Sequence, residues 1–404
     1  MVFSRRSLYG TICRMAEIDN DEVQWLVVDK GSSVIKAGFS GHDSPLSVFH
    51  SVVCGRQLTP SPAVMAVNNR HYAGDEARSS AGIFELEYPI KNGIVQNWDY
   101  MERIYKQIFV NDLRVESKDR PILLSDPCFN PKQDREKHTQ MLFESFQSPA
   151  VALHNEGLLG WYASGRNSGI ALCCGDGVLQ IVPIIDGYSH YPSIRRYNFG
   201  GRDLTKYLAR LLTRRGHYFY TSSDMDTVRE IKERLCYVAE DYPAELEKAQ
   251  QSSSLDGTFE LPCGQELTIS EERFQCAEAL FNPSLIDVHM PGVHELLWDA
   301  ISDCEIHHRT LLLSNIVLVG GCTMLPGFPE RLKKELEKKV ADRANVHVRV
   351  VSPPERRYSV WIGGSILSSL SSFKSLVSKD EYEEWGPSII HKHGGFPENA
   401  DLMC

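Results

Sequence analysis

Residues 26–39 read LVVDKGSSVIKAGF. An apolar, β-branched run (Leu26, Val27, Val28) ends in Asp29, a turn of small residues follows, and a second run carries Val34, Ile35 and Phe39. The pattern predicts a buried hairpin. Backbone amides in such a turn can point at a phosphate, and Asp29, at the junction of strand and turn, is placed to hold a hydrated Mg²⁺ beside it. Turns of the form Asp-x-Gly-Ser also occur in hairpins that bind nothing, so this stretch alone leaves both readings open.

Working outward, the motif returns. Residues 170–184, IALCCGDGVLQIVPI, give a second apolar strand, a turn on Gly175, Asp176 and Gly177, and another apolar strand. A third glycine turn, NIVLVGGCTMLPG at 315–327, offers bare backbone at Gly320 and Gly321 for a flat ring to lie against. Two phosphate turns in one chain can close on a nucleotide from opposite sides. Strands alternate with helices twice over, as in PILLSD followed by KQDREKHTQMLFESF, and EGLLGWYASG ahead of the second turn. That predicts mixed α/β sheets with helices on their faces.

The bulk properties narrow the class. At 404 residues the chain can bury a large core and is long enough for two domains. Composition is that of an ordinary globular protein, 42% hydrophobic and 24% charged, with no run of the eighteen or so apolar residues that a membrane span requires. The net charge of −10 argues against direct nucleic-acid binding and favours partners with basic patches. Eleven cysteines are scattered without metal-ligand spacing, an odd count that argues for reduced thiols inside a cell. The adjacent Cys173 and Cys174 read either as a redox pair or as buried strand residues. The first fifteen residues, with Arg5, Arg6 and Arg14 and no acid, read as a flexible extension or as a weak presequence.

Elsewhere, Trp98, Met101, Ile104, Tyr105 and Ile108 recur at helical spacing, with Asn97 or Asp99 as cap. Residues 200–250, through MDTVREIKERLCYVAED, read as helical, QQSSSLDG as a loop, and FELPCGQELTI as a hairpin around Gly264. Pro60 and Pro62 mark an exposed loop.

Many of these stretches coincide with one family. KAGFSG (36–41), GDEA (74–77), NWDYME (97–102), NPKQDREK (130–137), YASGR (162–166), GRDLTKYL (201–208), IKERLCYVA (231–239), PPERRYSVWIGGSIL (353–367) and GPSIIH (386–391) make the chain resemble an actin from about Val23 to His391. Only short insertions interrupt the match, near Cys54 and between 335 and 345. The resemblance implies the two-domain, four-subdomain fold of the actin, sugar-kinase and heat-shock-chaperone superfamily. It divides the chain into an outer domain (23–163 plus 359–391, with a subdomain at about 51–88) and an inner domain (164–358, with a subdomain at about 200–288). The ends, 1–22 and 392–404, are expected to be flexible.

The resemblance also implies ATP or ADP with Mg²⁺ or Ca²⁺ in the cleft between the domains. By position, Ser32, Ser33 and Lys36 would contact phosphate, Asp29 the metal through water, and Asp176 with the amides of Gly175 and Gly177 the phosphates again. Lys232 and Glu233 would face adenine and ribose, and Gly321, Met324 and Arg357 would surround the base. Tyr162, Leu367 and Leu370 would line the cleft that actins offer to an amphipathic partner helix. Assembly into actin-type filaments, alone or with conventional actin, is implied, as are actin-regulatory partners and a place in the cytoplasm and cytoskeleton, with the nucleus as a second compartment.

This sequence departs from the actin pattern at the chemistry. Asn after the first Asp is Lys30, Gly after the loop Ser is Ser33, and Asp-Ser in the second turn is Cys173-Cys174. The glutamine that orients the attacking water is Glu156, the nearby histidine is Gln180, and the aromatic residue beside adenine is Leu325. Glu156 returns part of the lost negative charge, and Lys30 offers a positive one to phosphate. Losing one support of a metal site costs about 10- to 100-fold in affinity, whereas water-positioning groups are worth about 10²- to 10⁴-fold in rate. The expectation is an actin-like protein that keeps nucleotide and hydrolyses it slowly or not at all. The alternative is a non-polymerising actin-related subunit of a chromatin or motor-adaptor complex. A superfamily phosphotransferase is disfavoured by the actin-specific stretches at 353–391. In 281–295, Leu285, Ile286 and Val288 read either as a filament plug or as a buried loop. The acidic EIDNDE (17–22) resembles the actin N-terminus that meets motors.

Overall fold

A computed structural model describes residues 24–57, 72–80, 83–341, 346–373 and 376–393. Two six-stranded sheets organise the chain. In the first, the order is Val377–Ser378, Ala150–Asn155, Ile122–Asp126, Leu26–Lys30, Val34–Phe39, Ser47–His50. The hairpin is present, antiparallel, with Val28 opposite Ala37 and Lys30 opposite Ile35, and its first strand runs parallel to Ile122–Asp126. The second sheet repeats the plan. Gly169–Cys174 pairs antiparallel with Leu179–Ile185, placing Cys173 opposite Gln180, and parallel with Ile316–Val319. In each lobe the phosphate-turn hairpin therefore starts in a central strand, buried along its whole length.

Alternation along these strands decides which core each side chain enters. Leu26 and Val28 face a cluster containing Met101, Ile104 and Leu142, while Val27 between them faces Leu159 and Trp361. In the second lobe Ile170, Leu172 and Cys174 face Leu204, Leu208 and Leu332, whereas Ala171 and Cys173 face Trp161, Val182 and Val319. The helices Glu156–Tyr162 and Ser359–Ser368 thus lie between the two sheets. They touch at backbone distance, because a Cβ built on Gly363 would lie 1.7 Å from the Leu159 carbonyl oxygen. The Trp361 indole donates to the Val27 carbonyl oxygen (3.0 Å) and fixes the second helix on the first sheet.

Local expectations are met where capping is explicit. Asn97 accepts from the Tyr100 amide and starts Trp98–Lys106, so Asn97 is the cap and Asp99 lies within the first turn. Gly264 turns the hairpin Gly257–Glu260 and Glu266–Ile269 with φ of 81°.

The expectation of helix through MDTVREIKERLCYVAED (225–241) is corrected: the helix Ser222–Leu235 stops before Cys236. Beyond it the chain is extended, Tyr237 donating to Arg273 and Val238 to Pro326, while Cys236 and Val238 enter the core. Tertiary pairing here overrides local propensity. Gln250 and Gln251, read as loop, complete the helix Tyr242–Gln251, and Lys392 and His393, read as tail, complete Ile390–His393. Lys392 lies 4.3 Å above the Trp385 ring. Leu285 and Ile286 pack on the second-lobe core, as the buried-loop reading of 281–295 requires. Pro60 and Pro62, the N-terminal acidic stretch and residues 394–404 lie outside the described residues. Among the described residues no helix is long and apolar enough to cross a membrane.

Candidate functional site

One cavity of about 450 Å³ opens between the lobes, in the size range of small-molecule sites. Its lining includes Asp29, Ser32, Ser33, Lys36, Glu156, Gly175, Asp176, Gly177, Gln180, Lys232, Glu233, Gly321, Met324 and Arg357. The two hairpin turns face each other directly. A Cβ on Gly177 would sit 3.2 Å from Ser32 Oγ and 3.0 Å from the Asn92 amide nitrogen, so a side chain here would crowd the opposite turn.

The turns present unspent donors. Among the described residues, the amides of Ser32, Ser33, Asp176 and Gly177 have no protein acceptor. Such groups call for a partner from solvent or ligand. Gly175 differs from the expectation: its amide donates to the Val178 carbonyl oxygen (3.0 Å) and closes the turn itself. Ser32 Oγ accepts from the Gly93 amide (3.1 Å), which leaves its hydroxyl proton to donate.

Asp29 is tightly oriented. One carboxylate oxygen accepts from Ser125 Oγ (2.9 Å) and the other pairs with Lys36 Nζ (2.8 Å). The Asp176 carboxylate is taken by Arg202 Nε (3.1 Å) and Nη2 (3.0 Å), and Nη2 also donates to the Ser32 carbonyl oxygen (3.1 Å) and so joins the two turns. Arg202 was not foreseen, although it stands beside Gly201 in GRDLTKYL.

Glu156 and Gln180 are partners. Gln180 Nε2 donates to Glu156 Oε2 (2.9 Å), and Gln180 Oε1 accepts from the Cys128 amide (2.5 Å). Burial, with Asp29 close by, pushes the Glu156 carboxyl up to about 7 against the opposing pull of Lys30 and Gln180. Beside them Cys173 is buried, and burial first, then Cys128, Glu156 and Asp29, hold its thiol well above the ordinary range. A neutral thiol therefore occupies the position at which the actin pattern has a carboxylate. Lys30 does not turn toward the phosphate turns with a free ammonium: its Nζ is buried, 3.7 Å from Asp126 Oδ1, and has no hydrogen-bond partner.

Another wall of the cavity is built from the third glycine turn. Gly320, at φ of 93°, packs so closely that a Cβ would lie 2.5 Å from the Cys174 carbonyl oxygen. A Cβ on Gly321 would meet nothing within 4 Å, which leaves a flat open wall. Leu325 is buried in the inner core beside it, and Cys322, unforeseen, donates to the Gly175 carbonyl oxygen (3.0 Å). Lys232 is buried rather than solvated, its ammonium donating to the Gly201 carbonyl oxygen (2.8 Å) and Thr205 Oγ1 (2.9 Å), while Glu233 is exposed at the cavity edge. Away from the cavity, Tyr162 and Leu367 pack on the cluster between the helices, and Leu370 is exposed.

A family model described as Actin matches residues 20–394, nearly the whole chain. The chain belongs to the actin family. Membership accounts for the repeated sheets and for the cleft between actin lobes. The departures at Lys30, Ser33, Glu156, Cys173, Cys174 and Gln180 all lie at that cleft, inside an otherwise regular actin fold.

Proposed function

We propose that this actin-family protein binds ATP in the interdomain cleft and forms or joins actin-type filaments, with hydrolysis slowed or lost. The observation that carries the nucleotide reading is the set of four amides without protein acceptors, on two turns of separate lobes that face one cavity. A polyanion is the ligand such a set suits. The flat wall at Gly321 suits a planar base.

A divalent cation carried with the nucleotide would offset phosphate charge, and Asp29, already oriented by Ser125 and Lys36, would hold it through water. Lys36 stands ready to share its charge between Asp29 and phosphate. The slowed hydrolysis follows from the floor of the cavity. Gln180 fixes Glu156, and Cys173 supplies neither charge nor a strong acceptor. Groups that position the water are worth about 10²- to 10⁴-fold in rate, and phosphoryl transfer depends on such positioning together with charge stabilisation.

The test is equilibrium binding of Mg-ATP to purified protein, phosphate release in the same sample, and sedimentation with and without conventional actin. Binding with phosphate release well below that of conventional actin, and pelleting alone or with actin, is the expected result. Absence of nucleotide binding overturns the first part. A soluble species that co-purifies with fixed partners and never pellets favours the actin-related-subunit alternative.

A further inference from the structure

We infer that Glu305, His307 and His308 form a surface site for a transition-metal ion of the zinc class, outside the cleft and independent of any nucleotide.

The site stands on a fixed base. Cys304 is buried in the second-lobe core, and the chain leaves that core through Glu305 into the helix Ile306–Leu313. Leu312 and Leu313 seat the far end of the helix in the same core, whereas Glu305, Ile306 and His307 are exposed. The His308 amide donates to the Glu305 carbonyl oxygen (3.0 Å) and closes the first turn. Arg309 holds the entry to it, donating to the carbonyl oxygens of Cys304 (2.9 Å) and Ser302 (2.5 Å). Backbone fixed in this way limits what the side chains must lose on taking a ligand.

The three side chains converge. Glu305 Oε2 lies 3.3 Å from His307 Nδ1, and the rings of His307 and His308 have centroids 3.9 Å apart. One ligand atom from each of the three falls within 4.8 Å of the other two, and no other trio of His, Cys, Asp or Glu among the described residues does so. Bonds of about 2.0–2.1 Å to a tetrahedral ion set neighbouring donors about 3.4 Å apart. The Glu305–His307 pair is already at that separation, and rotation of an exposed side chain closes the rest. Glu305 makes no capping hydrogen bond to the helix, so its carboxylate is available.

The donor set names the ion. Two imidazoles and a carboxylate suit Zn²⁺, Ni²⁺ or Cu²⁺, whereas Mg²⁺ and Ca²⁺ take oxygen ligands. Three protein ligands leave the fourth position of a tetrahedron to water. The positive end of the helix opposes a cation, and the Glu305 charge offsets it.

The experiment titrates the full chain with Zn²⁺ and, separately, Ni²⁺ in a calorimeter, with a phosphine reductant and excess Mg²⁺ present throughout. Glu305→Gln, His307→Ala and His308→Ala are run beside the native chain. An ion whose affinity falls by about tenfold or more in each histidine variant is expected, with Glu305→Gln intermediate and the metal-free melting temperatures near native. Native affinity in both histidine variants overturns the site. So does bound Co²⁺ whose spectrum shows thiolate ligation and is the same in those variants, because the metal then sits on cysteine. A measurement that needs no variant is acylation of the native chain by diethylpyrocarbonate, read by peptide mass. Zn²⁺ should protect His307 and His308, and rings that react equally with and without the ion overturn the site.

Discussion

Cys173 and Glu156 stand side by side on the cavity floor, one a carboxylate turned thiol, the other an amide turned carboxyl relative to the actin pattern, and each can be tested by restoring the pattern. Cys173→Asp returns a charge that a cation can use, and Mg²⁺ affinity in the nucleotide complex should rise by about 10- to 100-fold, read by competition with a chelator; an unchanged affinity would mean that Cys173 is not the lost support. Glu156 gives a pH signature. Its folded pKa of about 7 lies above the ordinary 4.5, so the folded state binds the extra proton. The group stabilises the fold below about pH 4.5, and that contribution disappears as pH rises through about 7. Glu156→Gln should therefore melt higher than the native chain above pH 7, with the difference shrinking toward pH 5, when both are scanned without nucleotide. A difference independent of pH would show that the carboxyl does not titrate in this window. Neither partnership was legible beforehand. The sequence placed both residues at the floor, but the Gln180 bridge between Glu156 and the Cys128 amide joins residues from three separated segments.

At the scale of elements, glycine positions divide into those that carry the fold and those that carry the site. Gly363→Ala forces a methyl group into the Leu159 carbonyl where the two central helices meet, and should destabilise by about 1–3 kcal/mol or more in chemical denaturation. Gly320→Ala meets both a positive φ and the Cys174 carbonyl, so it should also destabilise. Gly321→Ala faces open space. It should leave the melting temperature near native while weakening ATP binding, and equal effects of Gly320→Ala and Gly321→Ala on stability would refute that division. Much at this scale could be read from sequence, because apolar runs and small-residue turns are local: the two hairpins, the helix capped by Asn97 and the hairpin at Gly264 all lie where their residues put them. What could not be read depends on distant partners. Leu235 ends a helix whose pattern continues, because Tyr237 and Val238 find backbone acceptors at Arg273 and Pro326. Arg202 and Arg229 carried no role in the sequence reading, because the groups they reach, Ser32 and Ser33, lie on the opposite lobe.

Across the whole molecule, the two lobes touch through the central helices, through Arg202 between the two hairpin turns, and through Asp226, which pairs with Arg78 and Tyr88. A ligand that engages both turns adds a further link between lobes. Binding of Mg-ATP at about 100 times its dissociation constant should stabilise the folded state by about 2.7 kcal/mol, and the thermal transition should sharpen as the lobes unfold together; separate transitions at saturating Mg-ATP would show that the ligand engages one lobe alone. If copies of the chain assemble into the actin-type strand proposed above, their contact is head to tail, and any change in lobe angle would be repeated at every subunit. The meeting of Gly363 with the Leu159 carbonyl then has a mechanical meaning. With no side chain between them, the helices meet backbone to backbone, so a turn of one lobe against the other would pivot close to this crossing. Glu156 belongs to one of the crossing helices, and His50 and Asp75 line the same cavity, so a turn about the crossing would widen or narrow the cavity itself.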